Sequence, residues 1–283
     1  MLIENFLQVK KYLPAITIKA DITAIDDMLQ MAESELVSDI LSQELYERLL
    51  LKNEADNNLI GQCERVIAIN GFLKAIPDLD LILTQSGFAV HNSEAMSPAS
   101  TARVKSLTIG LQERVDSATD TLIRFLLASE KYEEIWKASA QFEKITAGII
   151  TNYSEFKDFA QYSPSVSAIY PRNYSEFKRL YSNFNLALLG EIASYLSYDY
   201  CNEIVEKLRD RELLSTHEKY ALGLIKYALC AISLNELNAG RAHIIKARAY
   251  MLKFSEAFPT FAQSPEASTV DNSDNDGAIF SML

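Results

Sequence analysis

The chain is poor in the residues that break helices, with only 9 Gly and 7 Pro in 283 residues. Long helices follow, because helix interiors exclude that pair and favour the Leu, Ala, Glu and Lys that are plentiful here. Cysteine is scarce and odd in number. Cys63, Cys201 and Cys230 are far apart in apolar helical patterns, which predicts buried thiols rather than a disulfide framework or a metal site. Positive charge is also short: 27 Lys and Arg face 38 Asp and Glu, for a formal net charge of -11. That balance opposes nonspecific binding to nucleic acid, although local contact with DNA is compatible with it. Phosphate-binding glycine loops and the Gly-x-Ser-x-Gly elbow are missing, so nucleotide-driven and hydrolytic chemistry have no sequence support. The start, Met1-Leu-Ile-Glu-Asn-Phe-Leu, lacks the basic and apolar regions of a signal peptide. The apolar stretch Leu222 to Leu234 is interrupted by Lys226 and is shorter than the ~20 residues of a membrane span. A protein outside the membrane is expected.

What is present is 48% hydrophobic content, enough for one large core or two modest ones, and helical periodicity. A short helix is predicted over Ile3 to Tyr12, stopping before Pro14. Asp21 or Thr23 then opens a long helix through Ile25, Met28, Leu29, Ala32, Leu36, Ile40, Leu45 and Leu49. Another, Asn58 to Ile76, is expected to end at Pro77. From Asp78 to Val90 the helical period is lost around Gly87, which predicts a small β-hairpin insertion near residues 79-91 that protrudes from the bundle. Ser97-Pro98 reads as the cap of a further long helix reaching Ala128.

The hexapeptide Asn-Tyr-Ser-Glu-Phe-Lys occurs at Asn152 to Lys157 and again at Asn173 to Lys178. In each copy Asn can cap a helix while the Glu three residues on reaches back to an exposed N–H. Laid together, the two halves of the chain match weakly: Ile25, Met28, Ala32, Leu36 and Ile40 fall on Phe177, Leu180, Phe184, Leu188 and Ile192. The expected architecture is mainly α, a bundle of two weakly similar helical halves. Residues 1-150 form the first with its hairpin arm, and 151-258 the second, closing with a helix from Ala239 to Phe254. Residues 259-283 read as an extended acidic tail whose composition buries no core. Its apolar end, Ile279, Phe280, Met282 and Leu283, is a candidate intersubunit hook. Ser86, Gly87 and Phe88 are the candidate docking hairpin.

Three patterns in the sequence resemble chemical sites. Asp26-Asp27 resembles half of a magnesium-diphosphate site, but the second half is missing, and paired acids in a first helical turn serve the macrodipole. Asn272, Asp274, Asp276, Gly277 and Ile279 follow the first eight positions of a calcium loop, yet the twelfth is Leu283 where a bidentate Glu is required. His91, His217 and His243 have no ligand at metal spacing; His217 reads as surface-exposed. No cofactor is implied. Arg241, Lys246 and Arg248 form a basic helix face that could meet nucleic acid, an acidic neighbour or only solvent.

The run Asp26-Asp-Met-Leu-Gln-Met-Ala-Glu-Ser-Glu-Leu, continued by Ile40-Leu-Ser-Gln-Glu-Leu-Tyr-Glu-Arg-Leu-Leu, resembles the opening helix of phage head-tail connector proteins. The layout of Pro77-Asp-Leu-Asp-Leu-Ile-Leu-Thr, Ser86-Gly-Phe, Ser97-Pro-Ala-Ser and Asn152-Tyr-Ser-Glu-Phe is similar to an uncharacterised phage-associated family of Bacteroidetes. The resemblance covers most of residues 1-255. It implies a structural virion protein, not an enzyme: a subunit of a homo-oligomeric ring, a dodecamer by analogy with portals. Such a ring attaches to the portal protein and to tail or neck proteins, and extends the DNA channel with passive contact to DNA. The implied location is the virion neck, and the host cytoplasm before assembly. Two other readings stay open, a soluble helical adaptor or regulator of a phage or prophage and, more remotely, a helical metal-dependent enzyme using Asp26 and Asp27.

Overall fold

The computed structural model describes residues 1–13, 25–79, 81–84, 87–90, 100–146, 149–160 and 170–268, with 81–84 and 87–90 described by their backbone alone. The fold is mainly α. The chain packs as two compact units. The first holds Met1–Ile145, Asn152–Ser154 and Pro171–Phe177; the second holds Thr146–Thr151, Glu155–Tyr170 and the described part of Lys178–Leu283. Parts of both hexapeptide copies belong to the first unit.

The first unit contains α1 (Phe6–Tyr12), α2 (Asp26–Leu36), α3 (Gln43–Leu50), α4 (Asn57–Leu79), strands β1 (Leu81–Thr84) and β2 (Gly87–Val90), α5 (Thr101–Ala128), α6 (Glu133–Lys137) and α7 (Ala140–Thr146, its last residue in the second unit). Helix α4 is its axis. It buries residues on every side, from Leu59 and Ile60 through Cys63, Val66 and Ile67 to Ile69 and Phe72, the mark of a helix surrounded by others. Its neighbours are α1, α2 and α5. The contact with α2 is close because Gly71 has no side chain: a Cβ there would lie 2.9 Å from the Leu29 Cα. Helix α1 carries a capping box, with the Asn5 side chain accepting from the Gln8 N–H and the Gln8 side chain accepting in return. Gln8 and Tyr12 then tie α1 to α4, donating to the Glu64 carboxylate at 3.0 and 2.8 Å.

Several expected boundaries shift. Pro77 lies inside α4 rather than ending it; it sits in the last, exposed turn, where the lost hydrogen bond costs little. The long helix from Ile25 to Leu49 is broken: after α2 comes a π-helical turn, Val37–Leu41, then Ser42 at φ 72° and ψ 155°, whose Oγ caps α3 by accepting from the Leu45 N–H. The π turn brings Ile40 and Leu41 inward together, and Trp136 Nε1 donates to the Ile40 carbonyl at 2.6 Å. Asp21 and Thr23 lie outside the described residues, and Ile25 stands at the start of α2 without a side-chain cap. Helix α5 is capped by Ser100, not Ser97; Ser97 and Pro98 are outside the described residues. Strands β1 and β2 pair antiparallel, Leu81 opposite Val90 and Thr84 opposite Gly87.

Helix α8 (Tyr153–Ala160) begins in the first unit and continues in the second, and α9 (Tyr174–Phe177) belongs to the first. The second unit adds α10 (Tyr181–Leu186), α11 (Ala193–Leu196), α12 (Tyr198–Arg209), α13 (Thr216–Ser233), α14 (Leu237–Lys253), α15 (Pro259–Ala262) and α16 (Pro265–Ser268). Helices α13 and α14 form its antiparallel centre, α13 opening with a Ser215–Glu218 capping box. A π-helical turn, Ala187–Ile192, precedes α11, and Ser197 at φ 71° and ψ 147° caps α12 through its Oγ and the Tyr200 N–H. The same device, a π turn followed by a capping Ser of positive φ, therefore occurs in each unit. In the second, α11 lies between turn and Ser.

Residues 259–268 correct the extended-tail expectation. Phe258 and Phe261 are 2% and 0% exposed, each packed edge-on to Tyr200. Pro259 and Pro265 start short helices instead of an open coil, because proline is tolerated in a first turn. The remaining tail residues, including Ile279, Phe280, Met282 and Leu283 and the calcium-like run from Asn272, lie outside the described residues.

Candidate functional site

The repeated hexapeptide has a structural purpose. Helix α5 carries two buried carboxylates one turn apart, Asp116 and Asp120. Asp120 Oδ1 accepts the Tyr153 N–H at 3.0 Å, and its Oδ2 accepts the Ser154 N–H at 2.8 Å and the Ser154 hydroxyl. Asp116 Oδ1 accepts the Tyr174 N–H at 2.9 Å. Each acid thus satisfies N–H groups that the first turn of a helix leaves without partners, and complements the positive end of its dipole. Tyr153 and Tyr174 converge on Phe177, with ring centroids 5.7 and 6.0 Å away.

In the second copy the Asn cap follows the sequence expectation. Asn173 Oδ1 accepts from the Glu176 N–H at 2.9 Å. The returning carboxylates, however, take the N–H of the residue before each Asn: Glu155 from Thr151 at 3.0 Å and Glu176 from Arg172 at 2.8 Å. Sequence reasoning missed the aspartates. The legible signal was two acids at i and i+4 among the apolar positions Val115, Ala118, Leu122 and Ile123.

Other buried acids are also engaged in holding the fold. Glu33 accepts the Leu2 N–H at 2.7 Å. Asp56, 1% exposed, meets Lys131 at 2.6 Å, Arg48 at 3.2 Å and the Tyr132 hydroxyl at 3.0 Å. Burial opposes its charge, but the Lys131 ammonium, the Arg48 guanidinium and the Tyr132 hydroxyl together hold its pKa at about 2. Cys63, Cys201 and Cys230 are buried free thiols; burial pushes Cys201 up to about 12 and raises the other two as well, which leaves little reactive thiolate.

The positions with chemical or docking promise are scattered. Asp26 accepts from Gln30 within the first turn of α2, and no group of three or more His, Cys, Asp or Glu among the described residues could hold a metal ion. His217 is not surface-exposed: its Nδ1 lies 2.7 Å from the Tyr250 hydroxyl and its ring 4.4 Å from that of Phe254. His243 stacks on Tyr227, and burial, with Lys246 nearby, lowers its pKa. His91 is outside the described residues. The basic face is largely committed within the second unit, since Arg241 pairs with Glu191 at 2.6 Å and Arg248 Nη2 donates to the Glu266 carbonyl at 2.9 Å; Lys246 is exposed. Gly87 and Phe88 start β2, and Ser86 is outside the described residues.

Exposed apolar residues also flank the β-ribbon in sequence. The first ten residues of α5, Thr101 to Gly110, include no buried residue, although Leu107 and Ile109 are 46% and 52% exposed; Leu79, at the end of α4, is 42% exposed. A groove of about 360 Å³ lies further along, between α2, α4, α5 and α9, with Leu36, Ile40, Val66 and Leu73 on its walls and Glu35 and Lys74 paired at its edge. No described helix is long and apolar enough to cross a membrane.

A family described as being of unknown function (DUF6712) matches residues 25–145, from the start of α2 to α7. No curated protein and no solved structure matches the chain.

Proposed function

We propose that this protein is a ring subunit of the head-tail connector type, attached to a portal and extending a DNA channel. The observation that supports it most is the arm of the first unit. The first ten residues of α5 bury no side chain, and an isolated two-stranded hairpin is marginal in water, so both favour packing against a partner. Leu79, Leu107 and Ile109 give that arm apolar surface of the kind that marks an interaction site. In this reading the ribbon, including Gly87 and Phe88, docks on a neighbouring subunit, and the 269–283 segment with Ile279, Phe280, Met282 and Leu283 supplies a second hook. Contacts of this kind are heterologous and close into a ring when the rotation per subunit divides the circle. The buried acids fit a scaffold, since Asp56, Asp116 and Asp120 are all engaged in joining its parts.

The test is the mass of the untagged protein, alone and with the cognate portal, beside the variant Leu107→Glu/Ile109→Glu. Both positions are exposed, so the variant should keep the wild-type fold and lose ring formation. A variant that assembles normally would remove the arm from the argument. The groove between α2, α4, α5 and α9 favours a second reading, a monomeric adaptor that takes a partner segment; it predicts a stable monomer indifferent to the portal.

A further inference from the structure

Three cations gather around one aromatic residue on the first unit. Tyr12 ends α1, and its ring centroid lies 4.9 Å from Lys11 Nζ and 5.9 Å from the Arg65 guanidinium carbon. Arg114, from α5, donates to the Tyr12 carbonyl at 2.6 Å. The three side chains, with Ser117 and Thr121, line an open cleft of about 520 Å³ floored by Ile69 and Ala118. Ring and carbonyl draw the cations together without neutralising them.

The acids nearby cancel only part of this charge. Glu64 already accepts from Gln8 and Tyr12, and lies 3.7 Å from Lys11. Glu113 is the other carboxylate on the cleft. Neither Arg65 nor Arg114 has a carboxylate within ion-pair distance among the described residues, and both are exposed. In a chain of net charge -11, two guanidinium groups without a carboxylate partner beside an ammonium make this cleft locally positive. Guanidinium forks match the oxygens of phosphate, and Lys adds a point charge.

We infer that this cleft binds a phosphate group through Lys11, Arg65 and Arg114. The ligand is a phosphate ester: either a small phosphorylated molecule or the backbone of nucleic acid, for which the chemistry of recognition is the same. This site is separate from the arm and does not depend on ring assembly.

Two measurements on the full chain test it. Thermal unfolding, followed by Trp136 emission, is compared in inorganic phosphate and in chloride at matched ionic strength; binding of a fluorescein-labelled DNA duplex is followed by anisotropy. Phosphate should raise the midpoint above chloride. Arg65→Gln and, as a second exposed change, Lys11→Gln should each weaken phosphate binding about tenfold, the worth of one charge-assisted bond, read against each variant's own midpoint in chloride. Duplex binding that the same variants weaken identifies nucleic acid as the source. A phosphate effect without duplex binding identifies a small ester. If phosphate and chloride give the same midpoint and the duplex does not bind, or if both variants respond like wild type, the inference is wrong.

Discussion

Replacing Asp120 should loosen the first unit more than any other single polar change. The carboxylate is 1% exposed and receives two backbone N–H groups, from Tyr153 and Ser154, on separate oxygens. Hydrogen bonds to a charged group contribute roughly 1.5–3 kcal/mol each, and their loss strands buried donors. Asp120→Ala should therefore cost about 3–5 kcal/mol. Asp120→Asn keeps one acceptor and turns an NH₂ toward the other donor, for a cost of about 2–4 kcal/mol. Asp116, one turn earlier, accepts from both Tyr174 and Gln112 through its Oδ1. The assay is urea unfolding read by the single Trp, Trp136, which is 1% exposed and lies in the same unit as both acids. Its signal isolates that unit from unfolding elsewhere. A loss below about 1 kcal/mol for Asp120→Ala would refute the reasoning.

Further predictions follow the same physics. Asp56 is depressed from 3.8 to about 2, so its contribution is complete above the unfolded pKa and is lost as pH falls from about 4 through about 2; the shift corresponds to about 2 kcal/mol. Acid titration of Trp136 emission should show that loss in the wild type and not in Asp56→Asn. Gly71→Ala forces a Cβ against the Leu29 backbone and should cost about 1–3 kcal/mol, seen as a lower urea midpoint. Removing residues 269–283 should leave the helical circular dichroism and its melting unchanged. Phe261→Ala empties a fully buried site and should cost about 3–5 kcal/mol, so truncation at 258 should destabilise the second unit.

The helical class and most of the apolar stripes were legible because burial here follows a 3.6-residue period. Three features escaped for identifiable reasons. The break at Ser42 is hidden because the π turn keeps Ile40, Leu41 and Leu45 all buried, so the apolar pattern runs on while the backbone does not. The packed segment 259–268 has a loop-like composition, yet two aromatic side chains, Phe258 and Phe261, outweigh it. The anion cleft joins Lys11, Arg65 and Arg114, which are distant in sequence and meet only through Tyr12. By contrast the basic face read from Arg241, Lys246 and Arg248 was a real run on one helix, and two of its three members are bonded within their own unit. Spacing along a helix predicts proximity, not availability.

The central claim concerns assembly, and native mass spectrometry of the untagged full-length chain with and without the cognate portal tests it most directly. A closed ring, formed alone or only on the portal, and lost in Leu107→Glu/Ile109→Glu, is the predicted result. A monomer whose mass does not change in the presence of the portal would contradict the connector account.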